Sequence, residues 1–132
     1  MNKTILIVDD AKLMRNIIKG SLYFTGDYEI FEAANGQEAI EMYSQIRPDV
    51  VTMDITMEKM NGVEAATAIL KQDPLARIII ITSLGQEKLL DQCIQAGVCD
   101  YIVKPFSKAR VASAVQKALH HMGVPMIVVD KE

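Results

Sequence analysis

The amino-acid sequence predicts an α/β protein built on one parallel sheet that helices cover on both faces. Five short β-branched runs alternate with five segments of helical hydrophobic spacing, and three of the runs are apolar at almost every position. Continuous apolar runs are typical of parallel strands that are buried on both faces, and strict alternation favours right-handed β-α-β crossovers. With 132 residues, the chain is expected to form a single domain.

The predicted elements can be read in order along the chain. The strands are the β-branched runs TILIV (4–8), YEIFEA (28–33), DVVTM (49–53), RIIIIT (77–82) and DYIV (100–103). The helices between and after them are predicted from apolar stripes, which are Leu13, Ile17, Ile18 and Leu22; Ala39, Ile40 and Tyr43; Val63, Ala66, Ile69 and Leu70; Leu89, Leu90, Cys93 and Ile94; and Val111, Val115 and Leu119. Asn-Gly dipeptides at 35–36 and 61–62 mark two helix starts, and Gly97 marks a helix end.

The regular pattern ends near residue 121. We therefore expect a domain over residues 1–121 and an apolar tail over 122–132. Met126 to Val129 are apolar and mostly β-branched, which favours an extended strand that adds to a sheet edge. That edge is either the chain's own or that of a second chain. We expect the protein to be mostly monomeric, with a tail-mediated dimer as the alternative.

Composition excludes several classes of function. A net charge of −3 argues against a general nucleic-acid surface, which needs clustered Lys and Arg. No apolar run approaches the about 20 residues of a membrane span, and MNKTILIVDDAK lacks the features of a signal peptide. Cys93 and Cys99 are too few for a disulfide framework or a zinc site. We therefore expect a cytoplasmic protein that binds neither nucleic acid nor membrane.

Charged and hydroxyl groups stand at the carboxyl ends of four predicted strands. They are Asp9 and Asp10 after the first strand, Asp54 after the third, Thr82 and Ser83 at the end of the fourth, and Lys104 and Pro105 after the fifth. Ligands of such sheets bind at that edge. At about 5 Å and an effective dielectric constant near 20, two neighbouring carboxylates repel by roughly 3 kcal/mol. Mg²⁺ would offset this repulsion, since it prefers carboxylate oxygens and commonly bridges to phosphoryl groups.

The other groups at this edge suit a phosphoryl ligand. Lys104 supplies a positive charge for a phosphoryl oxygen, and Thr82 supplies a hydrogen-bond donor. Ser83 and Gly85 are small and leave room for the incoming group. The set therefore predicts Mg²⁺-dependent phosphoryl chemistry at the sheet edge.

The motifs VDD (8–10), MDITM with MNG (53–62), ITS (81–83) and VKPF (103–106) together resemble those of receiver domains of two-component response regulators. The resemblance extends over about residues 3–121 and is strongest to single-domain chemotaxis regulators. It implies a flavodoxin-like, doubly wound sheet of five strands in the order 2-1-3-4-5, with five helices.

The resemblance also implies roles for the motif residues. Asp54 would accept a phosphoryl group from a phosphohistidine of a sensor histidine kinase. Asp10, Asp54 and the backbone carbonyl of Thr56 would bind Mg²⁺ directly, and Asp9 would bind it through water.

The remaining motif residues would hold the phosphoryl group and transmit the signal. Thr82 and Lys104 would bind phosphoryl oxygens, and the peptide before Pro105 would be cis. Thr82 and Tyr101 would form the switch. One departure is Glu58, where many receivers carry proline; it adds a negative charge four residues after Asp54 and frees the loop backbone.

The expected output is a change of affinity for a target protein, because no DNA-binding or catalytic segment is expected after residue 121. The flagellar motor switch in chemotaxis is the first choice, and a phosphatase is a further expected partner. A phosphorelay intermediate, which passes its phosphoryl group to a second phosphohistidine protein, is the alternative.

Two rival functions use the same residues. An aspartate-nucleophile phosphatase of the haloacid-dehalogenase type needs a second aspartate two positions after the nucleophile, where this chain has Thr56. A degenerate receiver would only make protein contacts, but all the key side chains are present. We therefore expect a signalling protein that catalyses its own phosphorylation and dephosphorylation and is not otherwise an enzyme.

Overall fold

The computed structural model describes residues 2–120, which form five strands and five helices in strict alternation. The strands are β1 (Lys3–Val8), β2 (Tyr28–Ala33), β3 (Val50–Asp54), β4 (Ile78–Thr82) and β5 (Asp100–Val103). The helices are α1 (Lys12–Leu22), α2 (Gly36–Ile46), α3 (Gly62–Gln72), α4 (Glu87–Ala96) and α5 (Lys108–His120). The predicted strand ends differ from these by at most one residue.

The strands form one sheet in which every pairing is parallel and the order is β2-β1-β3-β4-β5. This confirms the flavodoxin-like fold that the resemblance implied. The register pairs Val8 with Met53, Asp54 with Ile81, and Thr82 with Val103. The carboxyl ends of β1, β3, β4 and β5 therefore lie side by side at one edge of the sheet.

Helices cover both faces of the sheet and enclose two apolar layers. α1 and α5 pack on one face against the side chains of Ile5, Ile7, Ile79, Ile81 and Ile102. α2, α3 and α4 pack on the other face against Leu6, Val51, Met53, Ile78 and Ile80. Successive strand residues point to opposite faces, so a strand buried on both faces must be apolar at successive positions. This explains the continuous runs in β3 and β4, whose residues are all buried.

The helix ends follow the expected local chemistry. The Asn35 side chain accepts a hydrogen bond from the Glu38 amide at 2.8 Å, and Asn61 caps α3 through a reciprocal pair of bonds with Glu64. Gly97 ends α4 with φ at 111°, in the left-handed region that favours glycine. All three predicted helix boundaries are thus confirmed.

The predicted core stripe of α1 is partly wrong. Ile18 and Leu22 are buried, but the Leu13 side chain is 74% exposed and Ile17 is 42% exposed. Met14 packs partly against the core, so the inward stripe runs through positions 14, 18 and 22 at helical spacing. Leu13 and Ile17 each lie one position before this stripe, which turns them about 100° around the helix and out of the core.

Three other expectations concern membrane spans, the cysteines and the tail. None of the helices within residues 2–120 is long and apolar enough to cross a membrane. Cys93 is a buried free thiol and Cys99 a half-buried one, and burial raises the pKa of each to about 11. The predicted tail, residues 122–132, lies outside the described residues.

Candidate functional site

Three carboxylates meet at the carboxyl edge of the sheet. Within residues 2–120, Asp9, Asp10 and Asp54 each offer an oxygen atom, and these oxygens lie within 4.8 Å of one another. Asp9 and Asp10 directly follow β1, and Asp54 is the last residue of the adjacent strand β3. Asp9 and Asp54 are buried and Asp10 is exposed. The structure therefore brings together the three acids that the sequence singled out.

Asp9 has one carboxylate oxygen that needs a partner. Its Oδ1 accepts a hydrogen bond from the Ala11 amide at 2.9 Å, but the buried Oδ2 has no partner among the described residues. Burial is the main cause that raises the pKa of Asp9 to about 6, and the negative charge of Asp54 adds to the increase. The hydrogen bond from the Ala11 amide opposes it. An orphaned buried acceptor costs roughly 1–3 kcal/mol. A hard cation among these oxygens would remove that cost, so the residues fit Mg²⁺.

Asp54 combines burial with an adjacent cation. Burial raises the pKa of this carboxyl above its usual value, although the Lys104 ammonium and the Thr56 amide both oppose the increase. Lys104 Nζ lies 3.4 Å from Asp54 Oδ1. Lys104 follows β5, and its amide donates to the Thr82 carbonyl at 2.7 Å, which fixes the start of its loop. The Lys104–Pro105 peptide is cis, as the resemblance implied.

The loop after β3 folds back tightly over Asp54. The Gly62 amide donates to the Ile55 carbonyl at 2.9 Å, and a Cβ atom at Gly62 would lie 2.4 Å from the Asp54 carbonyl oxygen. Only glycine permits this approach. The loop also contacts the acids directly, because the Glu58 amide lies 3.4 Å from Asp10 Oδ2 in a long hydrogen bond. A proline at this position would have no N–H to donate.

The switch candidates Thr82 and Tyr101 lie on the same face of the sheet. Tyr101 pairs with Ile80 and Val103 pairs with Thr82, so Tyr101 is diagonal to Thr82 on the two neighbouring strands β4 and β5. Tyr101 is half-buried and packs against the core layer below α2, α3 and α4. The Thr82 side chain is buried at the end of β4.

Two residues that contact the site, Arg15 and Gln86, were missed by the sequence reasoning. The Arg15 guanidinium donates to the Asp9 carbonyl at 2.7 Å and pairs with Glu32 at 3.0 Å. Gln86, which precedes α4, accepts hydrogen bonds from Thr82 and Ser83. Neither residue stands at a strand end, and a polar residue on a helix or at its start carries no signal of such contacts.

Comparisons with known proteins agree with this geometry. A model of the response regulator receiver domain matches residues 5–116. The chain is 48% identical to the chemotaxis protein CheY of Thermotoga maritima over 118 residues, which cover 89% of this chain and 98% of the relative. It is 47% identical to the chemotaxis protein CheY of Bacillus subtilis over 120 residues, which cover 91% of this chain and all of the relative.

Solved structures show the same likeness. A receiver domain protein from Clostridium thermocellum superposes with a TM-score of 0.83 at 26% identity, covering 89% of this chain and 94% of that one. CheY in the CheX-CheY-BeF3-Mg²⁺ complex from Borrelia burgdorferi superposes with a TM-score of 0.80 at 35% identity, covering 87% of each chain. The sequence, the strand order and these relatives together show that the chain belongs to the response regulator receiver domain family, with CheY chemotaxis proteins among its relatives.

Proposed function

We propose that this protein is a phosphoacceptor response regulator of a two-component system, in which Asp54 takes a phosphoryl group from a phosphohistidine of a sensor histidine kinase. One observation carries the proposal. The Asp54 carboxylate is buried at the sheet edge between the other two acids and the Lys104 ammonium, which lies 3.4 Å away. In this arrangement Lys104 can neutralise charge on an incoming phosphoryl group, and the three acids can together hold a cation that does the same.

The proposed reaction forms and then hydrolyses an acyl phosphate. An Asp54 carboxylate oxygen attacks the phosphorus atom, the phosphorus–nitrogen bond breaks, and its electron pair goes to the imidazole nitrogen of the kinase. Lys104 stabilises the charge on the phosphoryl oxygens, and Thr82 donates a hydrogen bond to one of them. In the second, hydrolytic step, water attacks phosphorus, the bond to the Asp54 oxygen breaks and Asp54 leaves as a carboxylate, so inorganic phosphate is released and the signal ends.

Asp9, Asp10 and Asp54, with the Thr56 backbone carbonyl, are the groups that would hold Mg²⁺. The Oδ2 atom of Asp9 supports this assignment, because it is a buried acceptor that finds no donor within residues 2–120. The ion would neutralise charge on the phosphoryl oxygens during transfer. Glu58 adds an acid to the loop beside these ligands, and its amide contact to Asp10 ties that loop to the site.

The proposed output is chemotaxis signalling in the cytoplasm. The relatives from Thermotoga maritima and Bacillus subtilis are both chemotaxis proteins, and the chain spans at least 98% of each of them. We propose the flagellar motor switch as the target, with Thr82 and Tyr101 as the residues that report phosphorylation to it. A phosphatase is a further proposed partner. The Borrelia burgdorferi structure is a complex of CheY with a second protein, CheX, which supports a protein partner for this chain.

The decisive experiment is phosphorylation with acetyl phosphate and Mg²⁺, followed by intact-protein mass spectrometry. The wild-type protein should gain one phosphoryl group, and Asp54→Asn should gain none. Asp91→Asn is the matched control, because Asp91 is an exposed carboxylate on α4. Labelling of Asp54→Asn to the wild-type level would contradict the assignment of the phosphoacceptor.

A further inference from the structure

The side-chain amide of Gln86 joins two loops at the mouth of the acidic site. Its Oε1 accepts hydrogen bonds from Thr82 Oγ1 at 3.2 Å, from the Ser83 amide at 3.0 Å and from Ser83 Oγ at 3.0 Å. Its Nε2 donates to the Thr56 hydroxyl. Gln86 thus ties the loop that follows β4 to the loop that follows β3, and both of these loops border Asp54.

The donors that Gln86 engages on the loop after β4 stand at the edge where a phosphoryl group on Asp54 would lie. Asp54 pairs with Ile81 in the sheet register, so Thr82 and Ser83 follow immediately at the edge beside the carboxylate. A hydroxyl has one proton to donate, and so does a backbone amide. While Thr82 and Ser83 donate to Gln86, those protons are not available to a phosphoryl oxygen.

The Gln86 carbonyl is a weak competitor that a phosphoryl group can displace. Three donors converge on one oxygen that has two lone pairs, so they share its capacity. Hydrogen bonds to an ionised acceptor are roughly twice as strong as those between neutral groups. Thr82 and Ser83 therefore gain by exchanging the amide for a phosphoryl oxygen, but the exchange first requires that the bonds to Gln86 break.

We propose that Gln86 is a positioning residue that holds the Thr82 hydroxyl and the Ser83 amide away from Asp54 until a phosphoryl group displaces it. This inference rests on the proposed function of Asp54. It adds Gln86 as a residue that opposes phosphorylation of Asp54. Gln86 biases the free protein toward its resting arrangement, so its removal makes the site more receptive to a phosphoryl group. One neutral hydrogen bond is worth a factor of about five in an equilibrium constant, and two are worth about thirty.

The test is the affinity of the full-length protein for beryllofluoride, formed from beryllium chloride and sodium fluoride with Mg²⁺, measured by isothermal titration calorimetry. Gln86→Ala should bind about five- to thirty-fold more tightly than the wild type. Gln86→Glu should bind more weakly, because a carboxylate accepts more strongly from Thr82 and repels the anion. Gln92→Ala is the matched control on an exposed position of α4, and it should stay within about twofold of the wild type.

Two further measurements separate positioning from a structural effect. If Gln86 acts through Thr82, then Gln86→Ala should tighten binding by a smaller factor in a Thr82→Ala background than in the wild type. The Ser83 amide resonance of ligand-free Gln86→Ala should move toward its position in the beryllofluoride complex of the wild type.

The outcomes distinguish this inference from the proposed function. A wild-type protein that binds no beryllofluoride with Mg²⁺ contradicts the function proposed for Asp54, and with it the role of Gln86. A wild-type protein that binds, with Gln86→Ala equal or weaker in affinity, overturns the role of Gln86 alone. Should Gln86→Ala unfold, Gln86→Glu keeps the size of the side chain, and tighter binding by that variant would equally refute the inference.

Discussion

Neutralising Asp9 should stabilise the metal-free protein at neutral pH. Asp9→Asn keeps an oxygen that can accept from the Ala11 amide but removes the negative charge from a side chain that is only 2% exposed. Burial is the main cause that raises the pKa of Asp9 from 3.8 to about 6 in the folded protein. Because the folded state binds this proton more tightly than the unfolded chain does, ionisation of Asp9 disfavours folding.

The size of the effect follows from the pKa shift. A shift of about two pKa units corresponds to about 3 kcal/mol of folding free energy. As the pH rises from about 4 to about 6, the metal-free wild type should lose this part of its free energy of unfolding. Above pH 6, Asp9 should cause no further change. The variant keeps part of the cost, because its amide nitrogen replaces an Oδ2 atom that has no hydrogen-bond partner in the described part of the chain. We therefore expect a net gain of about 1–2 kcal/mol at pH 7.5.

The assay is urea unfolding with EDTA at several pH values between about 4 and 8, repeated with Mg²⁺. In EDTA, the curve of stability against pH should be flatter for Asp9→Asn than for the wild type. Added Mg²⁺ should stabilise the wild type more than the variant, because a ligand that binds only the folded state adds its binding free energy to stability. Asp91→Asn, at an exposed position, should change stability by less than about 0.5 kcal/mol.

One result would refute this reasoning. If metal-free Asp9→Asn is less stable than the wild type at pH 7.5, and the pH dependence between 4 and 6 is unchanged, then burial of the Asp9 charge does not oppose folding. The orphaned Oδ2 atom would then give no support to the Mg²⁺ assignment.

Other changes test the loop, the core and the switch. Gly62→Ala should lower the free energy of unfolding in urea by about 1–3 kcal/mol, because its Cβ would lie 2.4 Å from the Asp54 carbonyl oxygen. Gly20→Ala on α1 should raise it by about 0.5–1 kcal/mol, because its Cβ would meet no atom of the described residues within 4 Å. Leu22→Ala should lower the free energy of unfolding by about 2–5 kcal/mol and Leu13→Ala by less than about 0.5 kcal/mol. Equal losses would contradict the orientation of α1. Thr82→Ala should still be phosphorylated by acetyl phosphate. In a pull-down with the proposed target, the flagellar motor switch, it should lose part of the affinity gain on phosphorylation, and a full gain would exclude Thr82 from the switch.

The sequence by itself determined the elements and the place of the site. Periodicity marked five strands and five helices, and the Asn-Gly dipeptides marked the starts of α2 and α3. The acids could be grouped because the carboxyl ends of parallel strands share one edge, so a residue that follows an inner strand must stand near its counterparts. The strand order, in contrast, was predicted from the resemblance to receiver domains and not from periodicity.

Only the tertiary structure decided which side chains meet. The stripe of Leu13 and Ile17 satisfied helical spacing, yet packing against the sheet selected the neighbouring stripe that contains Ile18 and Leu22. The contacts of Gln86 and the orphaned oxygen of Asp9 likewise depend on where loops and rotamers place single atoms. Periodicity is a property of residues that are close in sequence, whereas burial and hydrogen bonding depend on distances between separate elements, which exist only once the sheet and its helices have packed.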